Sequence, residues 1–398
     1  MSNKVVLRGA VVTADTVLED GVLVFEDEKI SYVGSSESAP ADLPEGEVIE
    51  GYILPGLVDV HCHGGGGASF PDSTTAEELQ TAIMEHRRHG TTSLVGSCVT
   101  ADPETLKARA ALMADQCEAG ELAGIHFEGP FVSKDRCGAQ DPRFIIDPDA
   151  ELTKELIAAG RGHVKTMTIA PEKPNITGPD GVSAALINNG ALPSFGHTDS
   201  DPAPVRAALE DAREHLAKAE KPLSPRATVT HLFNGMRPLH HRNPGPIAEC
   251  LSDAKRGGVV LEMIADGIHL HPSIVRDVYE TVGRENIVFV TDAMAAAGMP
   301  DGSYVLGPQA VTVKDGIARL TGGDAIAGGT SHLLDQVRLL VDFGMPLVDV
   351  VYCASEQGAK ILGDTSIGAL AAGKRADAVC VDVNFKPLAV YRKGQIVE

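Results

Sequence analysis

The sequence predicts an α/β protein: a (β/α)8 TIM-like barrel with a small β-sandwich domain built from both chain termini. Three observations carry this. Between residues 55 and 360, eight apolar, β-rich runs alternate with helical patterns, the rhythm of parallel βα units. The flanking stretches, 1–54 and 361–398, hold short alternating strands that pair into one module. Six metal-competent side chains, His61, His63, Glu128, His197, His231 and Asp292, each fall where a predicted barrel strand ends, the rim on which barrels build their sites.

The N-terminal strands are VVLRGAVVTA, GVLVFEDEKISYVG and EVIEGYILPG, with turn residues between them. Ala376 to Val381 and Pro387 to Tyr391 have the same character at the other end. The barrel strands are LVDVHCH, TTSLVGSCV, GIHFEGPF, VKTMTIAP, LPSFGHT, ATVTHLFN, VVLEMIAD and NIVFVTDA. Helices are predicted from Thr75 to His89, opening with the capping box Thr75 to Glu78, and over Asp102–Glu118, Pro204–Glu220 and Ser273–Val282. Weaker helical patterns follow strands three, four and six. A doubly wound sheet fits less well, because no G-x-G-x-x-G follows a strand. The glycines at 64 to 67 require only a flexible loop.

A chain of 398 residues suits a barrel of ~250 residues plus a smaller module. The formal charge of −21 argues against a groove for nucleic-acid backbone, while a small anionic ligand needs only a local positive pocket. The N-terminus lacks an apolar signal region, and no run of ~18 apolar residues offers a membrane span, so a cytoplasmic protein is expected. Seven cysteines without C-x-x-C spacing suit reduced thiols.

In an extended strand, residues i and i+2 share a side, so His61 and His63 can both face the barrel axis. Alone, such a pair is more readily a hydrogen-bonded core pair than half a metal site. Glu128 ends an apolar strand before Gly129-Pro130, where a buried carboxylate needs a cation. His126 lies one step deeper and reads as a satisfied core histidine. His197 and His231 each close an apolar strand. Neutral imidazoles with carboxylate oxygen suit Zn2+ first, with Fe2+ or another first-row ion as alternatives. Asp292 ends the eighth strand, where it can take a proton from an activated water and return it to a leaving amine; the alternative is a cap on the segment that follows.

With these residues in place, L-P-G-L-V-D-V-H-C-H after a β module resembles the amidohydrolase superfamily. H-F-E-G-P-F, F-G-H-T-D, T-H-L-F-N-G-M, A-D-G-I-H, V-T-D-A-M and I-A-G-G-T occur in the order seen in N-acetylglucosamine-6-phosphate deacetylases. The resemblance spans residues 54 to 330. It implies a first metal site of Glu128, His197 and His231, a second ion at His61 and His63 sharing Glu128 and Asp292, and hence one or two divalent ions per subunit. Asp292 matches the family's catalytic aspartate. Asn234, Gly235, Arg242 and His269 match its phosphate-binding positions, and Ile326, Ala327 and Gly328 a substrate-lining segment. The resemblance also implies a homodimer whose phosphate site is completed by the neighbouring subunit. Where many relatives have G-A-H after E-G-P, this chain has Cys137-Gly138-Ala139-Gln140; Ala139 and Gln140 occupy substrate-contact positions, and Gln140 can donate a hydrogen bond but carries no charge.

The implied reaction is hydrolysis of the N-acetyl group of N-acetylglucosamine 6-phosphate to glucosamine 6-phosphate and acetate, in amino-sugar catabolism and cell-wall recycling. One alternative is the galactosamine epimer. Another is a cyclic-amidase-like hydrolase, but no lysine stands at the end of strand four to bridge two metals; Lys165 is at its start. The last alternative, a sugar-phosphate-binding regulator without catalysis, fits poorly with an intact ligand set beside a retained proton carrier.

Overall fold

The computed structural model describes residues 4–398; Met1–Asn3, part of the predicted β module, lie outside the described residues. All eight predicted barrel strands are present: Leu57–Cys62, Thr91–Val99, Gly124–Glu128, Val164–Ile169, Leu192–Phe195, Ala227–Val229, Val259–Met263 and Ile287–Phe289. They pair in parallel in chain order. Every strand but the fourth is buried along its whole length, so apolar runs rather than alternation mark them in the sequence. The first and eighth strands join just beyond their ends, where Asp292 N–H donates to His61 O at 2.9 Å and His63 N–H to Ala293 O at 2.7 Å. Asp59 reinforces that seam by accepting Thr291 Oγ1 at 2.6 Å. Closure of the barrel therefore sets the two strand-one histidines against Asp292.

The helices form where their termini are chemically marked. Ala76–Arg88 begins at Thr75, whose hydroxyl accepts the Glu78 N–H while the Glu78 carboxylate accepts the Thr75 N–H. Pro103–Glu118 is capped by Asp102. The helix expected from Pro204 begins at Pro202, since proline is already suited to the first helical position. Ala150–Ala159, Val182–Asn188 and Ile247–Lys255 account for the weaker patterns.

Both chain ends build one seven-stranded sheet, in the order Gln395–Ile396, Pro387–Arg392, Ala378–Asp382, Glu47–Pro55, Lys4–Val12, Val17–Glu26, Lys29–Ser35. Phe25 and Tyr391 lie four strands apart in that order, yet their ring centroids are 5.6 Å apart, so the sheet folds over itself as a sandwich. Gly51 is needed here: at φ 155° a Cβ would stand 2.1 Å from Val381 O.

Several elements were not anticipated, among them the helices Leu347–Ala354 and Glu356–Ile361 and the short strand pair Gly64–Gly65 and Ala68–Ser69. Gly302–Leu306, Gln309–Lys314 and Ile317–Leu320 form a three-stranded antiparallel sheet between the eighth strand and Leu333–Asp342. Its second turn is Asp315-Gly316, both at positive φ, the two-residue hairpin signal that was available in the sequence. It packs Leu306, Val311 and Ala318 against Val99 and Met294, which brings Leu306 over the strand ends.

Candidate metal and substrate site

All six strand-end residues converge. Glu128 Oε1 lies 2.8 Å from both His197 Nε2 and His231 Nε2, and those two nitrogens are 3.2 Å apart. Glu128 Oε2 is 3.1 Å from His63 Nε2, which is 3.2 Å from Asp292 Oδ1 and 3.1 Å from His61 Nε2. Two potential ligand groups result, His61/His63/Glu128/Asp292 and Glu128/His197/His231, sharing one carboxylate. His197, His231 and Asp292 have φ of 46°, 26° and 48°. The chain turns left-handed as each strand ends, at a cost of order 1–3 kcal/mol per residue, which aims the side chain across the barrel mouth.

The donor set fits a cation. His63 Nδ1 is 3.2 Å from Ser97 O and His197 Nδ1 2.8 Å from Arg136 O. A carbonyl only accepts, so each Nδ1 carries the proton and each Nε2 points a lone pair inward. His61 Nδ1 lies 3.1 Å from Glu262 Oε2, which imposes the same tautomer. Lone pairs facing one another at 3.1–3.2 Å repel unless a cation lies between them. Burial opposes charge on His63, yet its contacts with Asp292 and Glu128 push it up to about 10. The field that would hold a proton there would hold a metal ion in its place. Burial raises Asp292, but His63 and the charge of His61 outweigh it and keep the carboxyl below its ordinary value.

The cluster floors a cavity of about 330 Å3. Of the expected substrate contacts, Ala139, Gln140, Asn234, Gly235, His269, Ile326 and Gly328 line it. Gly235 has no room for a side chain, since a Cβ would come within 2.7 Å of His197 Nδ1. His269 donates to Asp266 Oδ2 at 2.8 Å; burial lowers its basicity, and the Asp266 contact and charge more than restore it. Two expected residues are not brought to the cavity. Ala327 is buried in the core of the three-stranded sheet, because its neighbours Ile326 and Gly328 take the cavity side of an extended segment. Arg242 is exposed on the loop after His231, and among the described residues its guanidinium meets only His241, at 2.7 Å. Among the described residues lining the cavity there is no lysine or arginine.

His126 lies beneath the site, bonded to Thr166 Oγ1 at 2.7 Å and Thr168 Oγ1 at 3.2 Å. Sequence reasoning missed Glu262, although an acid inside the apolar run VVLEM was a signal of the same kind as Glu128. It also missed Phe233, Leu306 and Ala325, which line the cavity from loops without a periodic pattern.

The model for the amidohydrolase family matches residues 52–397. An N-acetylglucosamine-6-phosphate deacetylase of Bacillus subtilis is 33% identical over 97% of this chain and 95% of its own length. An N-acetylgalactosamine-6-phosphate deacetylase of Escherichia coli O157:H7 is 31% identical over 86% of this chain and 87% of its own. A Mycobacterium smegmatis N-acetyl-D-glucosamine-6-phosphate deacetylase, solved in complex with N-acetyl-D-glucosamine 6-phosphate, superposes with a TM-score of 0.89 at 38% identity over 99% of each chain. The chain belongs to the amidohydrolase family, hydrolases of carbon–nitrogen bonds, and within it to the N-acetylglucosamine-6-phosphate deacetylases.

Proposed function

We propose that this protein hydrolyses the N-acetyl group of N-acetylglucosamine 6-phosphate, giving glucosamine 6-phosphate and acetate. The observation that carries the reading is one cavity that joins a metal-competent cluster to a buried, basic His269 and the donors of Asn234 and Gly235. The galactosamine epimer is the second reading, favoured by the relative from Escherichia coli O157:H7.

Glu128, His197 and His231 would hold the first divalent ion, and His61 and His63, with Glu128 and Asp292, a second. Zn2+ suits this imidazole and carboxylate set, and Fe2+ or another first-row ion is the alternative. A divalent ion there supplies positive charge that polarises the acetyl carbonyl and acidifies water. Asp292, at the cavity floor, takes the proton of the attacking water and passes it to the departing amine nitrogen. Glu262, Ser97 O and Arg136 O hold the three imidazoles in the tautomer this requires.

The sugar phosphate lies toward Asn234, Gly235 and His269. With no arginine or lysine in the cavity lining, a dianion needs a cation from elsewhere. We assign it to Arg242 of a second copy of this chain, in a homodimer. Residues 55–360 act as the catalytic unit and 1–54 with 361–398 as the β module. The charge of −21 favours no nucleic-acid partner. Among the described residues no helix is long and apolar enough to cross a membrane, and we assign the enzyme to the cytoplasm.

The test is elemental analysis of the purified protein together with acetate release from both epimers, with and without the 6-phosphate. Acetate from N-acetylglucosamine 6-phosphate in preference to the other sugars is expected. No acetate from any phosphorylated sugar would overturn the proposal.

A further inference from the structure

A second cavity, of about 270 Å3, lies at the opposite end of the barrel, where the strands begin and the β module meets them. Its lining is basic in a chain of net charge −21: His163, Lys165, Arg375, Arg392 and Lys393 face it, against the single carboxylate of Asp364. Barrel and module both contribute, since His163 precedes and Lys165 lies in the fourth strand, Val164–Ile169, while Arg392 ends the strand Pro387–Arg392 and Lys393 follows it.

The two guanidiniums are fixed from behind. Arg375 pairs with Asp377 and donates to Ser93 Oγ at 2.7 Å; Arg392 donates from Nε to Thr92 O at 2.9 Å and from Nη2 to Gly120 O. Among the described residues those bonds leave an Nη1 group on each arginine uncommitted. The Lys165 and Lys393 ammonium groups make no hydrogen bond or ion pair among the described residues. The stem of Lys165 lies across Gly124, where a Cβ would meet Lys165 Cγ at 2.3 Å, so a side chain there would displace it. Burial pushes Lys165 down, and burial together with Arg87 and Arg375 pushes Arg392 down to about 10. Asp377 neutralises Arg375, and the one carboxylate on the described lining, Asp364, faces Lys165, Arg392 and Lys393, so positive charge is in excess there and a bound anion offsets it.

We propose that this cavity binds a small phosphate-bearing anion, separately from the strand-end site. The remaining Nη1 group of each arginine and two ammonium groups suit a phosphate, whose several oxygens accept charge-assisted hydrogen bonds from separate donors. Binding would also tie the β module to the barrel, so it stabilises the whole fold.

The experiment is thermal unfolding of the full-length, metal-loaded protein in inorganic phosphate, against chloride and succinate at equal ionic strength. In wild type, phosphate should raise Tm by about 2 °C or more beyond the other two anions. Lys165→Met and, separately, Lys393→Met should lose that gain and keep wild-type acetate release. Lys165→Met should be no less stable than wild type in chloride, where a lysine holding the fold together would show a loss. No phosphate gain in wild type overturns the proposal. So does an equal gain in wild type and both variants, which would place the phosphate in the strand-end cavity. Succinate matching phosphate overturns the phosphate assignment.

Discussion

Gln140 ties Glu128 to the second barrel strand: its amide nitrogen donates to Glu128 Oε2 at 2.6 Å, and its carbonyl oxygen accepts the Thr100 N–H at 2.7 Å. The side chain is buried between those partners, so its first role is to orient the carboxylate that both ligand groups share. A neutral amide does this without adding charge to the site. Gln140→Ala would strand a buried N–H, at a cost of about 1–3 kcal/mol, and loosen Glu128. Metal affinity should fall by roughly 10–100-fold, as for other partners that orient a ligand. Chelator titration followed by elemental analysis measures this, and unchanged affinity would show that Gln140 serves only the substrate.

Asp292 should separate metal binding from proton transfer. The first ligand group, Glu128, His197 and His231, does not include it. Asp292→Asn keeps the shape of the side chain and removes the base, so acetate release should fall about 10²–10⁴-fold while metal at the first group stays. Near-normal turnover would remove Asp292 from the proton path.

His86 predicts an acid limit on stability. It is buried beside Cys62 and Gly64 O, 3.3 and 2.8 Å away, and its Nδ1 has no partner. Burial, reinforced by the charge of His332, pushes its pKa down to about 4 from an ordinary 6.5. Between those values the unfolded chain binds the proton more readily than the folded one. The stability His86 contributes is therefore complete above pH 6.5 and is lost as pH falls toward 4, by about 3 kcal/mol. Urea midpoints at several pH values for wild type and His86→Asn measure it; equal slopes in that window would exclude His86 as the cause.

How far the sequence could be read follows from what each residue does locally. The eight strands were legible because burial on both faces makes them continuous apolar runs, and Glu128 and Asp292 stood out as acids at the ends of such runs. Glu262 carried the same signal but sits inside its strand rather than at the end, and its role depends on His61, 201 residues away. The three-stranded sheet was marked by Asp315-Gly316, yet its strands are short and half exposed, so no long period advertises them. Leu306 and Ala325 reach the cavity through tertiary packing, which has no trace in local pattern.

Arg242 gives the sharpest test of assembly, because its own cavity does not include it. If each site takes its phosphate cation from the other subunit, then Arg242→Ala raises KM for the phosphorylated sugar more than tenfold and leaves unphosphorylated N-acetylglucosamine unaffected. Asp292→Asn and Arg242→Ala proteins are then each impaired for different reasons. Unfolded together in equal amounts and refolded, half of the dimers contain one of each chain. In such a dimer the Arg242→Ala subunit keeps Asp292 and receives Arg242 from its neighbour, so one site in two is intact. Activity should recover to about a quarter of wild type, as random pairing in a twofold dimer requires. If Arg242 acted within its own chain, no mixed dimer would hold an intact site, and the mixture would show only the average of the two variants.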